Sequence, residues 1–462
     1  MSPTIAAVVF FVGILALFYL DWNPKSRTSI AICIPVAWML VAGSRMASQW
    51  MSLGAPTDNP DQYLEGSPID RNYLTTLLVL ALIVLIRRRE QVVRLLQRNT
   101  PILLFFSYCA LSIAWSDYPD VAFKRWIKAG GNLVMVLVVL TDPGRTSAIG
   151  RFLTSAGFVL TPLSILFIKY YPDLGRGYHP WDWTPFYTGV TTNKNELGMI
   201  CLVVGLASVW SLLRAFKGGR ASRKPLLAHL AVLGMLGWLF WKAQSMTSLS
   251  CFMLASGVMI AMSSPRLARM PGIIHLLVAA VLSISASALF LNIGSGLVQT
   301  LGKDPTLTGR TEIWHLVLSM VTNPMVGTGF ESFWLGKRLE KIWSIYWWHP
   351  NEAHDGYIEL YLNLGWIGIT LLVLAIVSGY RNIVVGFRRD PDLGRLKLAY
   401  FVAAVAYNFT EAAFRMMSPV FIVFLLATIA VPEVRARTKA KARAPAARQA
   451  VHSPAIPSLE EV

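Results

Sequence analysis

Acidic residues are scarce in this sequence. Asp and Glu number 25 against 42 Lys and Arg, all charged residues make up 15% of the 462 positions, and 55% of the positions are hydrophobic. With a mean hydropathy of +0.51, too little polar surface remains to cover a soluble domain. Cysteine is rare as well. Cys33, Cys109, Cys201 and Cys251 all fall in apolar segments without metal-ligand spacing, so they read as small, buried, reduced hydrophobes rather than a zinc cluster. GxxxxGK[ST], HExxH and the GxSxG elbow are missing, and nucleotide-driven and metalloprotease readings fall away with them. No Lys or Arg stands within the first twenty residues. The first apolar run is therefore expected to be a retained span, since a cleaved leader needs a basic start.

What the chain has in abundance is apolar stretches of membrane-spanning scale, where about 20 helical residues cross the hydrocarbon core. They cover residues 4–20, 29–45, 72–86, 102–115, 126–141, 152–169, 196–213, 225–241, 247–262, 273–291, 357–379, 398–411 and 418–431. This predicts an all-α polytopic membrane protein of about 12 to 13 spans. The net charge of +17 sits in short loops, at Arg87–Arg89, Arg214–Lys224, Arg266, Arg269, Arg381–Lys397 and Arg435–Arg448. These clusters alternate with weakly charged ends, the positive-inside pattern, so the charge reports topology rather than nucleic-acid binding.

With every basic cluster on the cytoplasmic side, all the long connections fall outside. The expected organisation is residues 1–291 as ten spans with outer loops at 46–71 and 170–195, a large outer loop at 292–356, the last spans at 357–432, and a basic tail at 433–462. The large loop, roughly 65 residues, is far longer than usual connections. It is rich in Trp and Phe (GTGFESFW, IYWWHP), so amphipathic helices over the outer face are expected.

Titratable residues collect at these outer ends. In HPNEAHDGYIELYLNLG, Asp355, Glu359 and Asn363 fall on one helical face, with His354 just before it. A carboxylate such as Glu359 inside the bilayer's outer part is costly without a cavity or a partner, and marks a candidate functional residue. Asp355 has the plainer role of a helix N-cap open to it. In TLTGRTEIW, the Arg310 fork suits phosphate oxygens, and pairing with Glu312 or a headgroup is the alternative. In YNFTEAAFR, Asn408, Glu411 and Arg415 follow at i, i+3 and i+7, and Glu411 and Arg415 could simply neutralise each other. In TTNKNELG, an outward Lys194 beside Asn195 runs against the charge rule unless it meets a headgroup or an anionic ligand. In YHPWDW, an aromatic belt and sugar stacking use the same residues.

These motifs together resemble the O-antigen ligase and polymerase superfamily of bacterial membrane glycosyltransferases. TGRTEIW, then GTGFESF, then AHDGYIELYLNLGWIG are similar to its signature region. EGSPIDR, WSDYP, TTNKNELG and NFTEAAFR resemble its exopolysaccharide-polymerase branch. The resemblance runs from Glu65 to about Pro432. It implies a GT-C-type fold in the bacterial inner membrane and transfer of an undecaprenyl-diphosphate-linked oligosaccharide at the periplasmic face, without cofactor or metal. His354 matches the family's functional histidine and Arg310 its loop arginine. QSMTSL departs from the pattern, with Met246 where relatives carry Arg or Lys, and Lys242 one turn earlier is the candidate replacement.

The expected catalytic residues are thus His354, Glu359 and Arg310, with His354 or Glu359 as general base. Lys194, Asn195, Lys242, Glu312, Asn408, Glu411 and Arg415 are expected to hold the diphosphate or the substrate. Expected partners are the lipid-linked glycan, membrane lipid, a chain-length regulator and an export complex. Ligation of finished polysaccharide to lipid A core is the alternative within the class. Transport of the lipid-linked unit is the alternative outside it.

Overall fold

A computed structural model of the chain describes residues 1–24, 28–51, 64, 66–179, 183–217, 223–268, 270–290 and 308–431. The basic tail, the first part of the large loop (292–307), Glu65 of EGSPIDR, and Trp181 and Asp182 of YHPWDW lie outside the described residues.

Every apolar stretch coincides with a helix. In chain order these are α1 (Pro3–Leu20), α2 (Cys33–Ala42), α3 (Pro68–Arg87), α4 (Thr100–Leu111), α5 (Pro119–Leu140), α6 (Arg145–Tyr170), α7 (Lys194–Lys217), α8 (Arg223–Ala243), α9 (Met246–Ala261) and α10 (Pro271–Phe290). Two helices of the large loop follow, α11 (Thr308–Ser319) and α12 (Gly336–Ile345), then α13 (Gly356–Arg389), α14 (Pro391–Tyr407) and α15 (Pro419–Thr428). Among the described residues, α1, α3, α6, α7, α8 and α13 are long and apolar enough to cross a membrane, and α2, α4, α9 and α15 are shorter apolar helices. A two-stranded antiparallel hairpin, Arg176–Tyr178 with Pro185–Tyr187, interrupts the second outer loop.

The burial pattern is that of a bundle solvated by lipid. On α1, Val8, Val9, Phe11, Val12 and Leu15 are all more than half exposed. A helix that is apolar all round can stay exposed only in hydrocarbon. Conversely, α14 from Leu398 to Tyr407 and all of α15 are buried. These two helices are the centre of the bundle, so the turn joining them opens at the middle of one end. Cys109, Cys201 and Cys251 are buried as expected, whereas Cys33, the first residue of α2, is exposed; only the helix beyond it packs.

The two ends of the bundle differ chemically. One gathers the basic loops: Arg88 pairs with Asp142 at 3.7 Å and Arg214 with Asp392 at 3.0 Å, and Arg395 reaches Asp392 and the Ser263 hydroxyl. The opposite end brings together the starts of α7 and α13, the turn after α14 and the large loop. There the Asn195 side-chain amide meets Glu411 at 3.1 Å, and Thr410 meets Thr247 at 3.1 Å.

Candidate active site

The centre of that second end is made by a helix that stops early. The sequence spacing placed Asn408, Glu411 and Arg415 on one helical face, but α14 ends at Tyr407. Asn408 ends it by offering its side chain to the backbone in place of the next helical turn. Its Oδ1 accepts from the amides of Ala413 (3.0 Å) and Phe414 (3.1 Å), and its carbonyl accepts from Gly356 N–H (2.8 Å). Asn408 is wholly buried and shapes the turn that carries Glu411. Gly356 is the other half of the joint: a Cβ there would lie 1.9 Å from Asn408 Oδ1. Gly356→Ala is expected to destabilise the protein by about 1–3 kcal/mol through overpacking, seen as a lower unfolding temperature in detergent.

Asp355 caps α13, accepting from the amides of Tyr357 (2.8 Å) and Ile358 (2.9 Å). Burial raises its pKa to about 6. One residue earlier, His354 adopts φ +53, a conformation that a non-glycine residue keeps only when its surroundings enforce it. What enforces it is an ion-pair chain. His354 Nδ1 lies 3.1 Å from Glu352 Oε1 and 3.4 Å from Glu411 Oε2. Glu352 Oε2 meets the Arg415 guanidinium at 2.6 Å, and Glu411 Oε1 meets that of Arg310 at 3.3 Å. Arg310 also donates to the Thr410 carbonyl at 2.8 Å.

The electrostatics follow from this order of charges. Burial lifts the pKa of Glu352, but the Arg415 guanidinium and the His354 hydrogen bond outweigh it and hold the carboxyl down to about 2. Burial also opposes the His354 imidazolium, yet the hydrogen bonds and charges of Glu352 and Glu411 raise its pKa to about 9. At neutral pH three cationic side chains (Arg310, Arg415, His354) then converge on Glu352 and Glu411, with Asp355 close enough to Arg310 to feel its charge. This changes the role expected of His354, which stands here as a cation rather than a resting base.

Glu352, His354 and Glu411 each place a donor atom within 4.8 Å of the others, a spacing that suits a metal ion. Two guanidiniums already face the two carboxylates, and a dication would have to displace them; the cluster is better described as an ion-pair network.

Other expected residues lie around this centre or away from it. Asn193 caps α7, its Oδ1 accepting from Glu196 N–H (2.9 Å), while the Glu196 carboxylate reaches back to accept from the Thr192 hydroxyl (2.6 Å). That cap turns Asn195 towards Glu411 and leaves Lys194 exposed at the helix start. Lys242 is held elsewhere, its ammonium 4.2 Å from the Trp241 ring, 4.6 Å from Tyr187 and 5.8 Å from Trp238. Glu312 is exposed, and Arg310 pairs with Glu411 instead of with it. Glu359 accepts from the Trp334 indole at both carboxylate oxygens (2.8 and 2.9 Å) and from Ala353 N–H. Asn363, on the same face, accepts from Ser332 N–H (2.8 Å) and Phe333 N–H (3.0 Å).

Sequence reasoning passed over Glu352. Its signal was its place two residues before His354, but only the turn geometry shows that it bridges His354 and Arg415. Glu331 and Arg125 were also missed. They line a cavity of about 160 Å³ on the far side of the Glu352–Arg415 pair.

Comparison with known proteins fits this geometry. Residues 206–373 match the O-antigen ligase family model, a region holding Arg310, Glu352, His354 and Glu359 but not Asn195, Glu411 or Arg415. The chain is also 26% identical over 314 residues to the exopolysaccharide production protein ExoQ of Rhizobium meliloti (strain 1021), an overlap of 63% of this chain and 67% of that protein. Both comparisons agree with the resemblance read from the motifs: the chain is a multi-pass membrane protein similar to the O-antigen ligase family over residues 206–373 and to ExoQ over 314 residues.

Proposed function

We propose that the protein is a polysaccharide polymerase that transfers a lipid-diphosphate-linked oligosaccharide onto another glycan chain at the periplasmic face of the bacterial inner membrane. The observation that carries this reading is the ion-pair network joining Arg310, His354 and Arg415 through Glu352 and Glu411, set at the bundle end opposite the basic loops. Three cationic side chains converging at a membrane surface suit an anionic lipid headgroup.

In this reading the donor's diphosphate takes Arg310 and His354 as partners, displacing them from Glu411. An acceptor hydroxyl oxygen attacks the anomeric carbon, a new C–O bond forms, and the bond from that carbon to the diphosphate breaks. The lipid diphosphate leaves with the electron pair. Glu359, fixed by Trp334 and the Ala353 amide, takes the hydroxyl proton. Guanidinium and imidazolium stabilise the leaving charge, the work that preorganised donors do in a water-poor site. Activity is accordingly expected to survive chelation; turnover measured with and without EDTA should agree within about twofold, since no step needs a Lewis acid. Lys194, exposed near Asn195, would meet the headgroup from the rim.

The family model's own description favours a second reading, ligation of finished polysaccharide to an acceptor lipid. Donor and site would be the same. A deletion strain separates the two. Loss of polymer with single repeat units remaining means polymerase, and intact polymer left on its lipid carrier means ligase.

A further inference from the structure

At the Glu352–Arg415 pair lies a cavity whose lining includes neither Arg310 nor His354. It is lined by Arg125, Glu331, Trp334, Glu352, Glu359 and Arg415 among others. Five of these lie in the loops and the start of α13, while Arg125 comes from α5, far off in sequence. Its walls carry three carboxyl side chains, Glu331, Glu352 and Glu359, beside the two guanidiniums. Both guanidiniums are engaged, Arg415 with Glu352 and Arg125 with the Glu331 carbonyl. With both guanidiniums already engaged, such a lining offers a diphosphate little net attraction. It suits a neutral polyol, because carboxylates accept from hydroxyls, guanidiniums donate to them, and an indole stacks on a sugar's apolar face. The volume is on the scale of one sugar ring, not of an oligosaccharide.

The turn that supplies Glu331 is held in an unfavourable conformation from several sides. Glu331 has φ +51, between Gly329 at +95 and Gly336 at +49. Its Oε1 accepts from Met416 N–H at 2.8 Å, Arg125 donates to its carbonyl, and Asn363 holds the next two amides. Strain this firmly enforced is typical of functional positions. The cavity also shares a wall with the donor cluster, since Glu352 contacts His354 through Oε1 and Arg415 through Oε2.

We propose that this cavity is the acceptor subsite, in which Arg125 and Glu331 bind the terminal, neutral sugar whose hydroxyl attacks the donor. The proposal rests on the transferase reading above. It adds the side of the reaction on which the donor network is silent, and it assigns Glu359 its place as base beside that hydroxyl.

The test uses the full-length protein in detergent with two separable substrates. The donor is the repeating oligosaccharide on its native polyprenyl diphosphate, recovered from cells deleted for the protein. The acceptor is the same oligosaccharide remounted on a fluorescent alkyl glycoside, which has no diphosphate and cannot act as donor. Arg125→Lys keeps a donor for the Glu331 carbonyl, and Glu331→Gln keeps Oε1 for Met416 N–H. Each is expected to raise acceptor KM about tenfold or more, as loss of a charged hydrogen bond does, and to leave donor KM within about twofold. Lys124→Gln, on the exposed face next to Arg125, should move neither. Unchanged acceptor KM in both variants, or donor KM rising equally, would overturn the subsite. If the variants fail to insert, the wild-type protein settles the matter. An acceptor with a diazirine on its terminal sugar should label peptides from 119–128 or 327–334, and labelling confined to other peptides overturns the proposal. No transfer by wild type contradicts the transferase reading and the subsite together, whereas transfer with unmoved KM values contradicts the subsite alone.

Discussion

Arg310→Ala is expected to lower turnover by about 10²–10³, the usual loss when a donor to a developing oxyanion is removed. The guanidinium reaches Thr410 and Glu411 from the large loop, and in the reaction it meets the diphosphate as charge accumulates there. Arg310→Lys keeps the charge but loses the fork, so it should recover only part of the rate. A structural origin of the loss would appear differently. The protein holds Arg310 by one ion pair and one carbonyl at a partly exposed position, so thermal unfolding of Arg310→Ala should stay close to wild type while initial rates on lipid-linked donor fall. A rate within threefold of wild type would remove Arg310 from the mechanism.

The second large effect is on pH. His354 has its pKa raised from an ordinary 6.5 to about 9 by Glu352 and Glu411. A raised histidine pKa means that the imidazolium's contribution is complete below the ordinary value and is lost as pH rises through the shifted one. Donor binding should therefore hold through neutral pH and decline around pH 9, while the stability of the turn falls progressively between about pH 6.5 and 9. The profile of kcat/KM, which reports the free protein, is expected to show that alkaline limb. His354→Gln should lower the rate by about 10² and remove the limb, because no titrating cation then faces the diphosphate. If His354 were instead the resting base, activity would rise with pH up to about 9, and the two roles are opposite in sign.

How far the sequence went can be told from particular residues. Hydrophobic runs located the helices because lipid imposes the same requirement on every face that meets it, and α1 shows this most simply. The Asp355 cap was legible because capping is local, a side chain answering amides two and three residues on. Arg310, His354, Glu411 and Arg415 were each suspect for lying at the charge-poor, outer ends of spans, and the structure brings all four into one network. The helical spacing assumed for Asn408, Glu411 and Arg415 failed. A single Asn redirected the backbone, and that competition between side chain and helix depends on Gly356 in another element. Lys242 drew suspicion as a stand-in for the charge missing at Met246, but neighbouring rings hold its ammonium instead. Glu352, Glu331 and Arg125 stayed hidden because their meaning lies in contacts across 63, 85 and 206 positions of chain. No periodicity encodes such distances.

The central claim is that the network of Arg310, His354 and Arg415 serves glycosyl transfer from a lipid diphosphate. Purified protein, in detergent or liposomes, should be given the polyprenyl-diphosphate-linked repeating unit, and both glycan length and free lipid diphosphate should be followed. The account predicts a ladder of lengthened glycans, with one lipid diphosphate released for each unit added, and loss of both signals in Arg310→Ala. Movement of the lipid-linked unit across the liposome bilayer with no lengthening and no released diphosphate would contradict it.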